Sequence, residues 1–198
     1  MTNLSLAAGA NVAFGDWQEE EGKRVENQLG GRAFFRKCDV SSWNDVGNLF
    51  FQTWTKWGAI HSVISNAGVN THEGFLDDEY DEKTGILLPP HLKSIEINLL
   101  GQLYIVKCAM HFIKHWPETK TQIVMTASAG SFFPAPPIHL YCAAKAGVLG
   151  FMRAIKYDVA IRNATINVVA PWLTGKLILH SSLNWVKLIP SIYPNAIA

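Results

Sequence analysis

Residues 128–145 read Ser-Ala-Gly-Ser-Phe-Phe-Pro-Ala-Pro-Pro-Ile-His-Leu-Tyr-Cys-Ala-Ala-Lys, and they join a short apolar segment to a long periodic one. The segment before them, 122–127, is apolar and ends on small residues, as a buried strand does. After them, apolar residues recur every three or four positions, which predicts a helix with one buried face: Leu140, Ala144, Val148, Phe151, Ile155 and Val159. The sequence therefore predicts a strand, an apolar loop and a helix.

Tyr141 and Lys145 lie one turn apart on this predicted helix, close enough to interact. A phenol has a pKa of about 10, and an ammonium beside it favours the phenolate and lowers that pKa toward neutrality. Ser128, at the facing strand end, could hold a substrate oxygen next to the phenol. The three residues predict a proton-transfer site for an alcohol or a carbonyl. The alternative is an ordinary surface lysine beside a half-buried tyrosine.

Composition limits the class of protein. The 198 residues suffice for one domain, and we treat 1–198 as a single domain. A net charge of +1 gives no field for attracting nucleic acid. Cys38, Cys108 and Cys142 are scattered, which favours reduced thiols. With no apolar run of membrane-spanning length and no basic leader, we expect a cytoplasmic protein.

Strand and helix patterns alternate along the chain. The predicted strands are 11–15, 32–38, 60–65, 121–127 and 165–170, and the predicted helices begin near 16, 42, 89 and 140. Such alternation predicts an α/β fold with a parallel sheet covered on both faces and right-handed crossovers. In these sheets ligands bind beyond the carboxyl ends of the strands. Small, polar or turn-forming residues stand there: Asp16, Asp39, Val40, Asn66, Ala67, Gly68, Ser128 and Pro171.

Seven pieces of sequence together resemble the short-chain dehydrogenase/reductase family, and most closely its hydroxyprostaglandin-dehydrogenase-like members. They lie within about residues 4–175: GANVAFGDW at 9–17, CDV at 38–40, NAGVN at 66–70, INLLG at 97–101, Ser128, YCAAK at 141–145 and VVAP at 168–171. The resemblance implies a Rossmann-like doubly wound sheet and an oxidoreductase that interconverts a secondary alcohol and a ketone. It implies a catalytic set in which Tyr141 is the acid/base, Lys145 lowers its pKa, Ser128 binds the reacting oxygen and Asn98 supports a water-linked proton path.

The resemblance also implies a cofactor site. Asp16, with Trp17 beside it, would bind the adenosine ribose and repel the additional phosphate of NADP, so NAD is favoured. The remaining cofactor contacts would come from Tyr141 and Lys145 and from a further set: Asp39, Val40, Asn66, Ala67, Pro171 and Thr174. No metal is expected. The alternative, a metal held by Cys108, His111 and His115 at one-turn spacing, lacks a fourth ligand.

Four features depart from the family pattern. No G-x-G-x-x-G turn occurs, and the family's first strand, the central one of its sheet, has no counterpart. Residues 176–198 match no family element, and Trp172 follows Pro171 where relatives usually carry glycine. We therefore expect a truncated member that binds NAD weakly or not at all and has a split sheet. The alternative function is a catalytically inactive member that acts as a binding partner of related subunits.

Two expectations concern ligands and partners. The apolar loop 132–138 is either a rigid connector or a wall for an apolar alcohol or ketone. The long helices near 89–116 and 140–161 carry apolar residues on more than one face, and the family pairs these helices between subunits. We therefore expect a homodimer or homotetramer.

Overall fold

The structure is a computed structural model, and it describes residues 9–71, 74–114 and 120–172. Five strands alternate with helices along these residues. The strands are β1 (Val12–Asp16), β2 (Ala33–Lys37), β3 (Ser62–Ser65), β4 (Thr121–Thr126) and β5 (Ala164–Val169). The helices are α1 (Glu19–Leu29), α2 (Trp43–Trp57), α3 (Lys93–Ile95), α4 (Gly101–Ile113) and α5 (His139–Ala160). A π-helical turn, Glu96–Leu100, joins α3 to α4, and a 3₁₀ turn, Ala129–Ser131, follows β4.

The strands form two parallel sheets instead of the single sheet that the alternation predicts. β1 pairs with β2, and β3, β4 and β5 pair in that order. The α/β class with parallel strands is confirmed. Within the described residues, β1 and β3 each have a strand neighbour on one side only. This matches the split sheet that the missing central strand predicts, because each of these strands keeps an edge of unpaired backbone groups.

One helical layer covers the larger sheet and reaches the smaller one. Val63, Ile123 and Ile166, one on each strand of the larger sheet, are buried. Burial alternates along β3, since Ile64, next to Val63, is 46% exposed. The buried set forms one cluster with Val46 and Phe50 of α2, Val106 of α4, Val148 of α5 and Cys38 after β2. The core therefore lies under α2, α4 and α5. It holds the carboxyl ends of the strands on one side of the molecule.

Local signals explain the helix boundaries. Ser42 caps α2 by accepting a hydrogen bond from Asp45 N, as expected for a serine before a helix, and Gly58 ends α2 with a left-handed backbone (φ 69°). The helix expected from about residue 89 begins only at Lys93. Pro89 and Pro90 precede it, and the residue before a proline disfavours helical backbone. The loop that precedes this helix carries one antiparallel bridge, Tyr80 to Leu87.

The described helices were compared in length and apolarity with what a membrane span needs, about 20 apolar residues. None of them combines the length and the apolarity that crossing a membrane requires.

Candidate active site

Ser128 and Tyr141 lie on either side of Gly130. Ser128 follows β4 and caps the 3₁₀ turn, where its Oγ accepts a hydrogen bond from Gly130 N at 3.2 Å. A Cβ on Gly130 would lie 3.6 Å from Ser128 Oγ and 3.7 Å from Tyr141 Cε1. The turn therefore brings the serine hydroxyl and the phenol ring to the same place. Because Ser128 Oγ accepts in this bond, its own proton can still be donated to a substrate oxygen.

Lys145 is buried one turn further along α5, with 3% of its surface exposed. Its Nζ donates to Thr126 O at 2.8 Å and lies 5.8 Å from the centroid of the Tyr141 ring. Burial lowers the pKa of Lys145 to about 8, because the charged ammonium has lost its water. Thr126 O is the acceptor found for it among the described residues. Two of its three N–H donors thus remain for hydroxyl groups.

Asn98 lies in the π-helical turn and is fully buried. Its Oδ1 accepts from Val69 N at 2.9 Å, and its Nδ2 donates to Val69 O at 2.8 Å. These bonds fix the loop after β3 against Lys145. A Cβ on Gly68 would lie 2.7 Å from Asn98 Oδ1 and 3.3 Å from Lys145 Nζ, so only glycine fits there. The structure thus brings Asn98 and Lys145 together around Gly68.

Gln102 is a site residue that the sequence reasoning missed. It lies one helical turn after Asn98 and is fully buried, and its Nε2 donates to Thr126 O at 2.9 Å. Gln102 and Lys145 therefore share one carbonyl. The signal was present in the sequence as a polar residue within an apolar helical stretch, since a buried amide needs a partner.

The predicted cofactor residues occupy the carboxyl ends of both sheets. Asp16 is exposed at the end of β1 and accepts from Gln18 N at 2.9 Å; Trp17 beside it is 69% exposed. Asp39, after β2, accepts from the hydroxyl and the backbone N–H of Ser41, and these bonds hold the pKa of its carboxyl below the usual value. Val40 packs on the start of α4, where a Cβ on Gly101 would lie 2.9 Å from its Cγ2.

The other predicted cofactor residues follow β3 and β5. Asn66 Oδ1 accepts from Thr126 Oγ1 at 3.2 Å, and Ala67, half-buried, is next in the chain. Pro171 O accepts from Ala129 N at 2.9 Å, which joins the end of β5 to the Ser128 turn. Thr174 lies outside the described residues. The structure therefore gathers one cluster around Gly68 and Gly130, with Asp16 and Asp39 on the neighbouring sheet.

The cysteines offer neither a metal site nor a reactive thiolate. Cys38 and Cys108 are buried free thiols and Cys142 is a half-buried one. Burial raises the pKa of all three, that of Cys38 to about 12. The ranges 9–71, 74–114 and 120–172 contain no group of three metal-ligating side chains. His115, which the metal alternative needs, falls outside them.

Comparison with known proteins identifies the family. The family model for short chain dehydrogenase matches residues 1–184, and the chain belongs to this family. It is 30% identical over 193 residues to a short-chain dehydrogenase/reductase of Penicillium rubens, covering 96% of this chain and 63% of that protein. It is 31% identical to the 2,5-dichloro-2,5-cyclohexadiene-1,4-diol dehydrogenase of Sphingobium indicum, covering 85% of this chain and 64% of that protein.

A solved structure supports the same assignment. The short-chain dehydrogenase of Mycobacterium smegmatis matches with a TM-score of 0.73 and 25% identity, over 84% of this chain and 68% of that one. The chain thus spans about two thirds of the length of these relatives. They do not distinguish the hydroxyprostaglandin-dehydrogenase-like branch, so that closer kinship stays a prediction.

The residues present fit the two riboses of a nicotinamide dinucleotide better than they fit its pyrophosphate. The two unused N–H donors of buried Lys145 suit the hydroxyls of a ribose, and exposed Asp16 suits the hydroxyls of a second one. The pyrophosphate lacks the equivalent, because these 198 residues contain no G-x-G-x-x-G turn to present backbone amides at a helix N-terminus. Residues that fit the ribose groups are present, whereas the phosphate cradle is not.

Proposed function

We propose that this protein is an NAD-dependent oxidoreductase that interconverts a secondary alcohol and a ketone. The observation that carries the proposal is the convergence of Ser128, Tyr141 and buried Lys145 around Gly130 and Gly68. A hydroxyl that can donate, a phenol that can exchange a proton and a cation beside it are the groups that carbonyl reduction requires.

The residues would divide the reaction as follows. A nicotinamide cofactor, held at its riboses by Lys145 and Asp16, would supply the hydride acceptor for oxidation and the hydride donor for reduction. Ser128 would donate a hydrogen bond to the reacting oxygen and hold it beside Tyr141. Tyr141, as phenolate, would take the hydroxyl proton while the C–H electron pair leaves as hydride, so that the ketone, the reduced cofactor and one proton account for all atoms and charges.

Lys145 and Asn98 would support this step without contacting the reacting oxygen. The Nζ of Lys145 lies 5.8 Å from the centroid of the Tyr141 ring, where a positive charge would stabilise negative charge that develops during proton transfer. Both side-chain groups of Asn98 are bonded to Val69, which suits a role in holding the Gly68 loop. Its part in a water-linked proton path stays a prediction.

Asp16 supports the choice of NAD over NADP. Its carboxylate is exposed at the end of β1, where it would accept hydrogen bonds from a ribose and repel a phosphate. Lys37 is paired with Asp16 in the register of β1 and β2. Its Nζ lies 3.7 Å from Glu19 Oε2, so the lysine charge is partly balanced by that carboxylate.

The direct test of the catalytic assignment is Tyr141→Phe. We expect turnover of a secondary alcohol with NAD to fall at least about a hundredfold, the scale of lost acid/base catalysis. The matched control is Tyr157→Phe, because Tyr157 is on the same helix and 70% exposed. Near-normal turnover in Tyr141→Phe, or an equal loss in the control, removes Tyr141 from the mechanism.

We also propose a homodimer or homotetramer in the cytosol. Leu103 and Met152 are half-buried on α4 and α5, which leaves apolar surface for a second copy, although Val106 and Leu149 are buried within the chain. A monomer in sedimentation at micromolar concentration contradicts the pairing. The three free cysteines suit a reducing compartment.

A further inference from the structure

Two aromatic rings meet beside the Ser128 turn. Phe133 and Trp172 have ring centroids 5.8 Å apart at an interplanar angle of 85°. Neither is buried by this contact: Phe133 remains 58% exposed and Trp172 remains 53% exposed. An edge-to-face pair of this kind keeps ring faces open to further stacking.

The backbone holds this pair at the candidate active site. Phe133 N donates to Ala129 O at 3.2 Å, and Ala129 N donates to Pro171 O at 2.9 Å. Phe133 is therefore bonded directly to Ala129, the residue after Ser128, and Trp172 directly follows Pro171, which is also bonded to Ala129. The two loops that carry them leave the carboxyl ends of the adjacent strands β4 and β5.

We propose that Phe133 and Trp172 form a subsite that binds the planar apolar substituent of an aromatic secondary alcohol or ketone. The proposal rests on the proposed function, because it places the carbinol or carbonyl oxygen at Ser128 and Tyr141. Exposed aromatic faces are unfavourable in water, and a planar apolar group that covers them removes that surface. The neighbouring Phe132 is also exposed (55%), so the apolar surface extends beyond the pair.

The side chains around the aromatic pair suit a small ligand that has one polar end and one apolar end. The segment 132–138 contains no charged or hydrogen-bonding side chain, so it can offer shape and apolar contact alone. Hydrogen bonding would come from Ser128 and Tyr141 across the turn. A site with one polar end and one aromatic end selects compounds that carry an oxygen next to a planar ring.

The test is calorimetric binding of 2-acetylnaphthalene to the 198-residue protein. We expect the dissociation constant to rise about fivefold or more in Phe133→Ala and in Trp172→Ala, the scale of one lost aromatic contact. Phe51→Ala is the control, because Phe51 is 57% exposed on α2 and outside the site, and it should bind as the unchanged protein does. Acetylcyclohexane, which is not planar, should bind more weakly than 2-acetylnaphthalene.

Each other outcome overturns the subsite. Absence of binding to the unchanged protein, an affinity in Phe133→Ala and Trp172→Ala equal to that of the unchanged protein, or equal affinity for both ketones contradicts it. A change in sedimentation without a change in binding assigns the aromatic pair to contact between copies instead. Cofactor-linked turnover is measured separately, so binding of the ketone without turnover contradicts the proposed function and leaves the subsite standing.

Discussion

Lys145 carries a charge in a place where the fold alone would favour an apolar side chain. Burial lowers its pKa from 10.5 to about 8, which corresponds to a cost of roughly 3 kcal/mol for keeping the protonated amine inside. Thr126 O, its acceptor, also receives a hydrogen bond from Gln102 Nε2. Lys145 is therefore dispensable for satisfying that carbonyl. Its presence is better explained by function than by stability.

We therefore expect Lys145→Met to stabilise the fold by about 1–3 kcal/mol at pH 7. The advantage should shrink as pH rises from about 8 to 10.5: the unfolded chain still binds the proton there and the folded chain has lost it, so the unchanged protein gains stability. Urea unfolding at pH 7 and pH 10 measures both effects. A variant less stable than the unchanged protein at pH 7 contradicts this account.

Asp16 gives a prediction about cofactor choice. The unchanged protein should use NAD better than NADP, and Asp16→Arg should narrow or reverse that preference because a cation attracts the additional phosphate. The ratio of kcat/KM for the two cofactors measures it. Equal use of both cofactors by the unchanged protein would remove Asp16 from the specificity.

At the residue scale, spacing and resemblance predicted much of the candidate site. Tyr141 and Lys145 share a helix, so their distance follows from helical geometry. The meeting of Asn98 and Lys145 at Gly68 joins α5, the π-helical turn and the loop after β3, so no local spacing predicts it. Gln102 was missed because a polar residue in an apolar helical stretch indicates that a partner is needed but not which one, and its partner is a backbone carbonyl 24 residues away.

Elements are held by close contacts at particular glycines, and Gly22 on α1 is the clearest example. A Cβ there would lie 2.0 Å from Phe35 Cε2, so α1 rests directly on an aromatic ring of β2. Gly47, in the middle of α2, has no atom within 4 Å of the equivalent position. Both glycines lie within helices, but of the two only Gly22 has a neighbour that an added methyl group would contact.

We expect Gly22→Ala to destabilise the protein by about 2 kcal/mol, because the added methyl forces α1 away from β2. Gly47→Ala should stabilise it by up to about 1 kcal/mol, since alanine favours the helix and meets no neighbour. Thermal unfolding of both variants reports the difference. Equal shifts in the two variants would show that α1 does not pack on Phe35 as described.

The order of the elements was predictable, and their exact limits were less so. Each predicted strand is present within two residues of its expected limits, because apolar runs between turn residues mark strands well. The helix expected near 89 begins at Lys93 and passes through a π-helical turn at Asn98. Such turns depend on tertiary contacts, here the two bonds between Asn98 and Val69, and periodicity does not reveal them.

The whole molecule combines a well-formed catalytic edge with a divided sheet. Ser128, Tyr141 and Lys145 belong to the three-stranded sheet and its helix, whereas Asp16 belongs to the two-stranded sheet. A cofactor that spans both would cross the region between β1 and β3, where the described residues supply no strand and the sequence supplies no glycine-rich turn. We therefore expect this chain to keep its catalytic groups in place while it binds the cofactor weakly.

The measurement that tests this central claim is the initial rate of alcohol oxidation by the 198-residue protein as NAD is raised from about 10 μM to about 10 mM. Most enzymes saturate with a KM between about 1 μM and 1 mM. Here the rate should still be rising in the millimolar range, because these 198 residues contain no glycine-rich turn to present backbone amides to the pyrophosphate. Saturation at low micromolar NAD, or no NADH at any concentration, would contradict the account.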